Sequence, residues 1–181
     1  MFGVRINLES LNKTADAMAA DKRNDYLIEL RNIEQDIREI SHDLNREKSE
    51  LINNFVAIVE NLFEDQKKTY KSKFISSIDS AIKWELVSNS VKINLYRILQ
   101  EALQNINKYA KANTININLK KEENHLILNI TDDGIGFNVN KAKKGIGLQN
   151  IVFRAKECDG VFEIQSSKGA GTIITVTAPI G

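Results

Sequence analysis

The chain is poor in the residues that most often carry redox and metal chemistry. It has one cysteine, Cys158, and two histidines, His42 and His125, in 181 residues. A single thiol forms no internal disulfide and no zinc cluster, and it fits a reducing compartment. Neither sign of charge dominates: 25 basic residues face 24 acidic ones, for a net charge of +1 at neutral pH. That balance argues against a strongly basic nucleic-acid binder. No apolar run approaches the roughly 20 residues that span a bilayer, and Glu9 and Asn12 interrupt any apolar segment a signal peptide would need. No Gly-x-Gly-x-x-Gly follows a first strand and no Walker lysine motif is present, which disfavours the dinucleotide-binding and P-loop folds. What remains is an ordinary globular composition, 42% hydrophobic and 27% charged, in a length suited to one domain with a helical appendage or to two small domains.

The most informative stretch runs from Val91 to Ala110. Apolar residues at 91, 95, 98, 99, 102, 103 and 106 form a core-facing stripe at helical period, and Ser88-Asn89-Ser90 supplies its cap. Glu101, Asn105 and Lys108 recur three and four apart and share a second face. Two glycine-rich loops follow, Asp132-Asp133-Gly134-Ile135-Gly136 and Gly145-Ile146-Gly147. A salt-bridge ladder would explain the helix face alone. With the glycine loops, the set can surround a nucleotide and its metal. Period-two alternation predicts strands over 113–119, 125–130, 161–166 and 172–179, the last ended by Pro179, with turns at Glu122-Glu123-Asn124 and Asp159-Gly160. A weaker alternation makes 74–79 a first strand, Trp84 reads as a core anchor, and His125 is expected exposed beside its turn.

This set resembles the ATP-binding domain of sensor histidine kinases, in the wider family shared with gyrase, the Hsp90 chaperones and the mismatch-repair ATPases. It is most similar to bacterial kinases of the nitrate-sensor type, which have a short ATP lid. The resemblance runs from about Lys83 to Pro179. It implies an α+β fold, the two-layer Bergerat-type sandwich, with ATP and Mg²⁺ as ligands. By the same resemblance Asn105 holds the metal and Glu101 positions water or moves a proton. Lys108 and Tyr109 lie near the phosphates, where the family commonly has His in place of Tyr109. Asp132 accepts the adenine amine, with Thr172 at the same end. Gly134 and Gly136 let the backbone pass the base and ribose. Asn138 to Lys144 form a short lid carrying Lys141, Lys143 and Lys144. Gly145, Gly147 and Leu148 close that lid, and backbone amides at the helix start hold phosphate oxygens. Asn150 and Arg154 match family positions, Arg154 as a structural partner of acids.

The residues before this domain carry a heptad seam: Tyr26, Leu30, Ile33, Ile37, Ile40, Leu44, Leu51, Phe55, Ile58 and Leu62. One reading is a long surface helix packed on the domain. The other is a helical bundle, which the length of the seam favours. At about 1.5 Å per residue this helix spans on the order of 55 Å, whereas a first helix over Phe2 to Leu11 covers a third of that. The resemblance accounts for the imbalance. Met1 to Leu11 is similar to the segment trailing the phosphorylated histidine in a dimerisation hairpin, so the acceptor is expected upstream of Met1. His42, in Ser41-His42-Asp43-Leu44, then faces a missing helix; the alternatives are that it is itself the acceptor or a solvent residue without a role. The expected organisation is a truncated hairpin over residues 1–65 and an ATP-binding domain over 66–181, with Glu64 to Lys73 as linker.

As a whole the resemblance implies a cytoplasmic two-component signal-transduction enzyme, an ATP-dependent protein-histidine kinase. It would be a homodimer through the hairpin and would pass phosphoryl groups to a response-regulator receiver domain. Neither nucleic acid nor membrane is an expected partner of this segment. The alternatives are an anti-sigma-factor serine kinase, against which the heptad seam speaks, and a non-catalytic dimeric ATP-binding module, which Tyr109 favours.

Overall fold

The computed structural model describes residues 30, 32–35, 37–38, 41, 45–69, 72–139 and 145–180. The expectations for residues 2–28, His42 and the lid lysines 141, 143 and 144 lie outside these. The chain divides into two compact units, Met1–Ser49 and Glu50–Gly181. The described residues of the first are helical, and its seam residues Ile33 and Ile37 are 43% and 47% exposed.

The second unit begins in helix, and α1 covers Phe55–Thr69. Then come strand β1, Lys73–Ile78, a 3-10 turn, Trp84–Leu86, and helix α2, Asn89–Asn105, which widens into a π-helical turn, Ile106–Ala110. Strands β2, Thr114–Glu122, and β3, His125–Asp132, form a hairpin. Helix α3, Ile146–Glu157, and strands β4, Val161–Ser166, and β5, Thr172–Pro179, complete the unit. The five strands make one sheet in the order β1-β2-β3-β5-β4. Only β1 and β2 are parallel; the other neighbours are antiparallel.

One face of this sheet meets α2 and α3 through a shared core. Two of its cross-strand rows are almost wholly apolar: Ile78, Leu119, Leu128, Val176 and Phe162, and then Ser76, Ile117, Ile130, Ile174 and Ile164. Helix α2 lays its expected stripe on them; Val91, Leu95, Ile98, Leu99, Ala102, Leu103 and Ile106 are all buried. Ser88 caps it by accepting the Val91 N–H at 3.3 Å. Ile151 and Ala155 of α3 join the same core. This is the α+β two-layer arrangement anticipated from the sequence. Among the described residues no helix is long and apolar enough to cross a membrane.

The expected seam changes phase as it reaches this unit. Leu51 and Phe55 are buried as anticipated, but the line continues through Val59 and Phe63, while Ile58 and Leu62 are half-buried. Steps of four suit packing on a single surface, where a heptad suits a supercoiled partner. Phe55 meets Trp84 with ring centroids 4.5 Å apart, and Phe63 meets Phe74 at 5.5 Å, so Trp84 anchors the core as expected. The charged stretch expected as a linker is helical through Thr69. Lys67 pairs with Glu64 at 2.7 Å, and Lys67 and Lys68 lie in the last turn, where cations complement the helix dipole.

Phe55→Ala is expected to destabilise this unit by about 3–5 kcal/mol in urea unfolding, with a shift in the emission of Trp84, the sole tryptophan. Ile58→Ala is expected to cost only about 1–2 kcal/mol. Equal losses would restore the heptad phase.

Candidate nucleotide-binding site

The sheet's inner face turns polar at one end. The next cross-strand row reads Phe74, Ile115, Asp132, Thr172, Ser166. Above it, between the end of α2, the loop after β3 and the start of α3, lies a cavity of about 750 Å³. That is a size usual for small-molecule sites. Ile130, Ile164, Ile174 and Phe137 contribute apolar lining, and Glu101, Asn105, Lys108, Tyr109, Asp132 and Thr172 the polar groups. Gly136, Gly145, Gly147, Leu148 and Asn150 line it too.

The two adjacent aspartates have opposite situations. Asp132 is 4% exposed, and its Oδ1 accepts the Gly134 N–H at 2.8 Å. Burial pushes its carboxyl above the usual carboxylate range, against the lowering effect of the Gly134 amide and the Thr172 hydroxyl. Asp133 is exposed and turned the other way. Its Oδ1 accepts the Asn113 and Thr114 amides at 2.7 and 2.8 Å, and the Thr114 amide foremost holds its carboxyl low. Asp132 therefore faces the cavity, while Asp133 fastens the entry of β2. Gly134 stands behind the lining. A Cβ there would fall 2.2 Å from the Ala110 carbonyl oxygen, the group that accepts the Ile135 N–H at 2.8 Å. The loop can approach the π turn only because residue 134 has no side chain. Gly136 takes a positive φ of 56°.

At the other end, Glu101 and Asn105 sit one turn apart on α2. The Asn105 amide nitrogen donates to Glu101 Oε1 at 3.5 Å, which leaves its carbonyl oxygen as an acceptor. The first turn of α3 comes directly against them. A Cβ on Gly147 would stand 2.5 Å from Glu101 Oε1 and 3.0 Å from the Asn105 amide nitrogen. Gly145 is the N-cap of α3, and Ile146 is 76% exposed. Lys108 and Tyr109 ride on the π turn at the cavity's mouth, and Tyr109 is 66% exposed. Among the described residues no cluster of three His, Cys, Asp or Glu could hold a metal. The carbonyl of Asn105 and the carboxylate of Glu101 are hard oxygen donors, the kind Mg²⁺ accepts beside water and phosphate oxygens. The donor set thus fits the metal that the sequence implies.

Among the described residues, Glu101, Asn105, Lys108, Tyr109, Asp132, Gly136, Gly145, Gly147, Leu148 and Thr172 all lie on this cavity, and Gly134 shapes it from behind. Sequence reasoning missed the isoleucine lining and the hydroxyl of Ser166. The isoleucines looked like ordinary core, and Ser166 becomes visible only through the pairing that sets it opposite Thr172. Arg154 was expected to pair with acids; instead its guanidinium donates to the Asn94 side-chain oxygen at 3.4 Å. His125 is exposed beside its turn, as anticipated.

Comparison with known proteins agrees with this geometry. Sensor protein VraS of Staphylococcus saprophyticus is 35% identical over 123 residues, covering 67% of this chain and 34% of that protein. Sensor histidine kinase LiaS of Bacillus subtilis is 36% identical over 104 residues, 55% of this chain and 29% of that one. The chain thus spans about a third of the length of these curated relatives. Among solved structures, the histidine kinase domain of a blue-light activated histidine kinase from Erythrobacter litoralis EL346 shares the fold. Its TM-score is 0.58 at 14% identity, covering 71% of this chain and 61% of that one. The histidine kinase AdeS of Acinetobacter baumannii does so with a TM-score of 0.57 at 17% identity, over 99% and 95% of the two chains. Residues 90–181, just over half of the 181, match the family described as histidine kinase-, DNA gyrase B-, and HSP90-like ATPase, and the chain belongs to that family.

Proposed function

We propose that this chain is the ATP-binding part of a sensor histidine kinase of the nitrate-sensor type. In the whole protein, the γ-phosphoryl of ATP would pass to a histidine on a dimerisation helix and then to a receiver-domain aspartate. The observation that carries the reading is Gly147 pressed against Glu101 and Asn105 at one end of a cavity whose other end is the buried carboxylate of Asp132. Few ligands need both a buried acceptor and a metal-type donor set in one cavity; a nucleoside triphosphate does. The short stretch between Gly136 and Gly145 supports the short-lid type. The exposed Ile33 and Ile37 support a helical partner in a dimer.

In this reading Asp132 accepts the adenine amine and disfavours guanine, which presents a carbonyl there. Lys108 attracts phosphate as a point charge. The amides that open α3 stand where they can hold phosphate oxygens, since a helix start leaves its N–H groups unpaired. Mg²⁺, when bound through Asn105, would neutralise phosphate charge. Glu101, held beside Asn105, can orient water or take a proton. Tyr109 offers a hydrogen-bond donor without the option of positive charge. That substitution for the family's usual histidine is the one observation favouring a binding module without turnover.

Titration calorimetry with Mg-ATP tests the reading; a folded sample that takes up no nucleotide would end it. Gly147→Ala is expected to weaken binding about tenfold or more by displacing the Glu101 carboxylate. A radiolabel transfer assay should leave this chain unlabelled, and acid-labile label lost in His42→Ala would make His42 the acceptor.

The two aspartates give predictions of opposite sign. The carboxyl of Asp132 is raised in the fold, so its contribution to stability is present at low pH and is lost as pH rises through the folded value. Asp132→Asn removes that loss. The nucleotide-free variant is expected to melt about 2–4 °C higher near neutral pH, with the gain vanishing in acid, while ATP binding falls about 100-fold. The carboxyl of Asp133 is lowered, so its contribution is present at neutral pH and lost as pH falls through the folded value. Asp133→Asn is expected to melt lower at neutral pH and to converge on the wild type in acid. Melting curves across pH check both signs.

A further inference from the structure

The inward line of α1 does not end at Phe63. At helical spacing the next inward position is Gln66, which is half-buried, while Lys67 and Lys68 beside it are exposed. Its Oε1 accepts the side-chain amide of Asn107 at 2.8 Å. Asn107 belongs to the π-helical turn, Ile106–Ala110. It is half-buried, and the next two residues, Lys108 and Tyr109, line the cavity. Among the described residues no other side chain hydrogen-bonds to this turn. The chain after it is fastened to the same side of the unit. The Ser72 hydroxyl donates to the Ala112 carbonyl at 2.7 Å, and the Lys73 amide to the Asn113 carbonyl at 2.7 Å. A π-helical winding is rare and occurs as single turns, frequently at functional sites, so it persists where other contacts hold it. Here Ile106 and Ala110 are buried, the Ala110 carbonyl accepts the Ile135 amide, and Gln66 holds Asn107. A shift of one residue in the winding would swing Lys108 and Tyr109 by about 100° around the helix axis.

We propose that Gln66 is a positioning residue for the triphosphate end of this cavity. Through Asn107 it keeps the π turn in the winding that puts Lys108 and Tyr109 at the mouth, so binding of the charged tail depends on α1. The proposal rests on the nucleotide reading above. It adds that a residue outside the family-matched segment, 90–181, belongs to the binding machinery. The base end is independent of this tie. Asp132 and Thr172 are set by the pairing of β3 with β5, and the Asp133 carboxylate fixes the loop after β3 to the entry of β2. Gln66 therefore bears on one end of the ligand only. Coupling of this kind is reciprocal, so a nucleotide tail held at Lys108 tightens the last turn of α1 in its turn.

The test titrates Mg-ATP and adenosine, which lacks the charged tail, into the wild type, Gln66→Met, Asn107→Leu and the double variant. Methionine matches glutamine in length and helix propensity and offers only a weak acceptor. Gln66→Met should weaken Mg-ATP about tenfold, the effect of leaving a half-buried amide without its partner, and hold adenosine within about twofold. Asn107→Leu should do the same. The double variant should lose no more than either single one, since one bond joins the pair. Trp84, packed on Phe55 of α1, should keep its emission in Gln66→Met, which shows the helix still docked. In the wild type Mg-ATP should slow hydrogen exchange of the amides at 67–69 about tenfold, and in Gln66→Met it should not. Equal weakening of Mg-ATP and adenosine, losses that add in the double variant, or a shifted Trp84 emission would overturn the proposal, leaving Gln66 a structural tie. Undiminished Mg-ATP binding in Gln66→Met, or protection of 67–69 that persists there, would overturn it as well. A wild type that binds no Mg-ATP would instead sink the nucleotide reading, and this proposal with it.

Discussion

The arrangement depends on one close approach, that of the first turn of α3 to the polar face of α2. A packed domain tolerates no gap between two helices and no overlap, so the contact must be met by side chains that fit. Here it is met by Gly147, with the side chains of Glu101 and Asn105 filling the space where a Cβ would stand. Everything on that side of the cavity follows. The helix start is brought within reach of the α2 face, and the carbonyl of Asn105 remains available as an acceptor. The apolar rows beneath hold both helices at fixed height, and Ile98, Leu99, Leu103 and Ile151 are fully buried there. The geometry of the polar groups is set by packing that takes no part in the chemistry.

The opposite end shows how chemistry is carved from the same sheet. Of the cross-strand rows over this face, the two under the helices are almost wholly apolar. In the row at the cavity end, Asp132, Thr172 and Ser166 stand where the neighbouring rows have isoleucine, valine and phenylalanine. A buried carboxylate is costly, and the amide of Gly134 offsets part of that cost. Asp133, one residue on, points across the strand and does structural work at the start of β2. Alternation at period two assigns the pair to different faces, so one dipeptide serves both purposes.

Much of this was legible in the sequence, and the exceptions have physical causes. The α2 stripe and the β2 and β3 alternation could be read because a half-buried element must repeat at its own period. The site residues could be named because a helix face and two glycine loops together resemble a known ATP-binding domain. The phase of α1 could not be read. Ile58, Val59, Leu62 and Phe63 are all apolar, so a heptad line and a line in steps of four are equally hydrophobic, and only the surface presented by Trp84 and Phe74 decides between them. Ser166 was invisible for another reason. Its partners are 29, 5 and 6 residues away, and strand pairing, not spacing, brings them together.

The bond between the Ala110 carbonyl and the Ile135 amide joins the two walls of the cavity through backbone alone. No side chain takes part in the bond itself, and the glycine between Asp133 and Ile135 is what lets the two segments come this close. This tie between the walls is therefore set by backbone and not by the side chains that line the cavity. The exposed side chains of Ile135 and Tyr109 take no part in that bond, so the chemistry at the cavity's mouth can be altered without touching the tie that holds its walls.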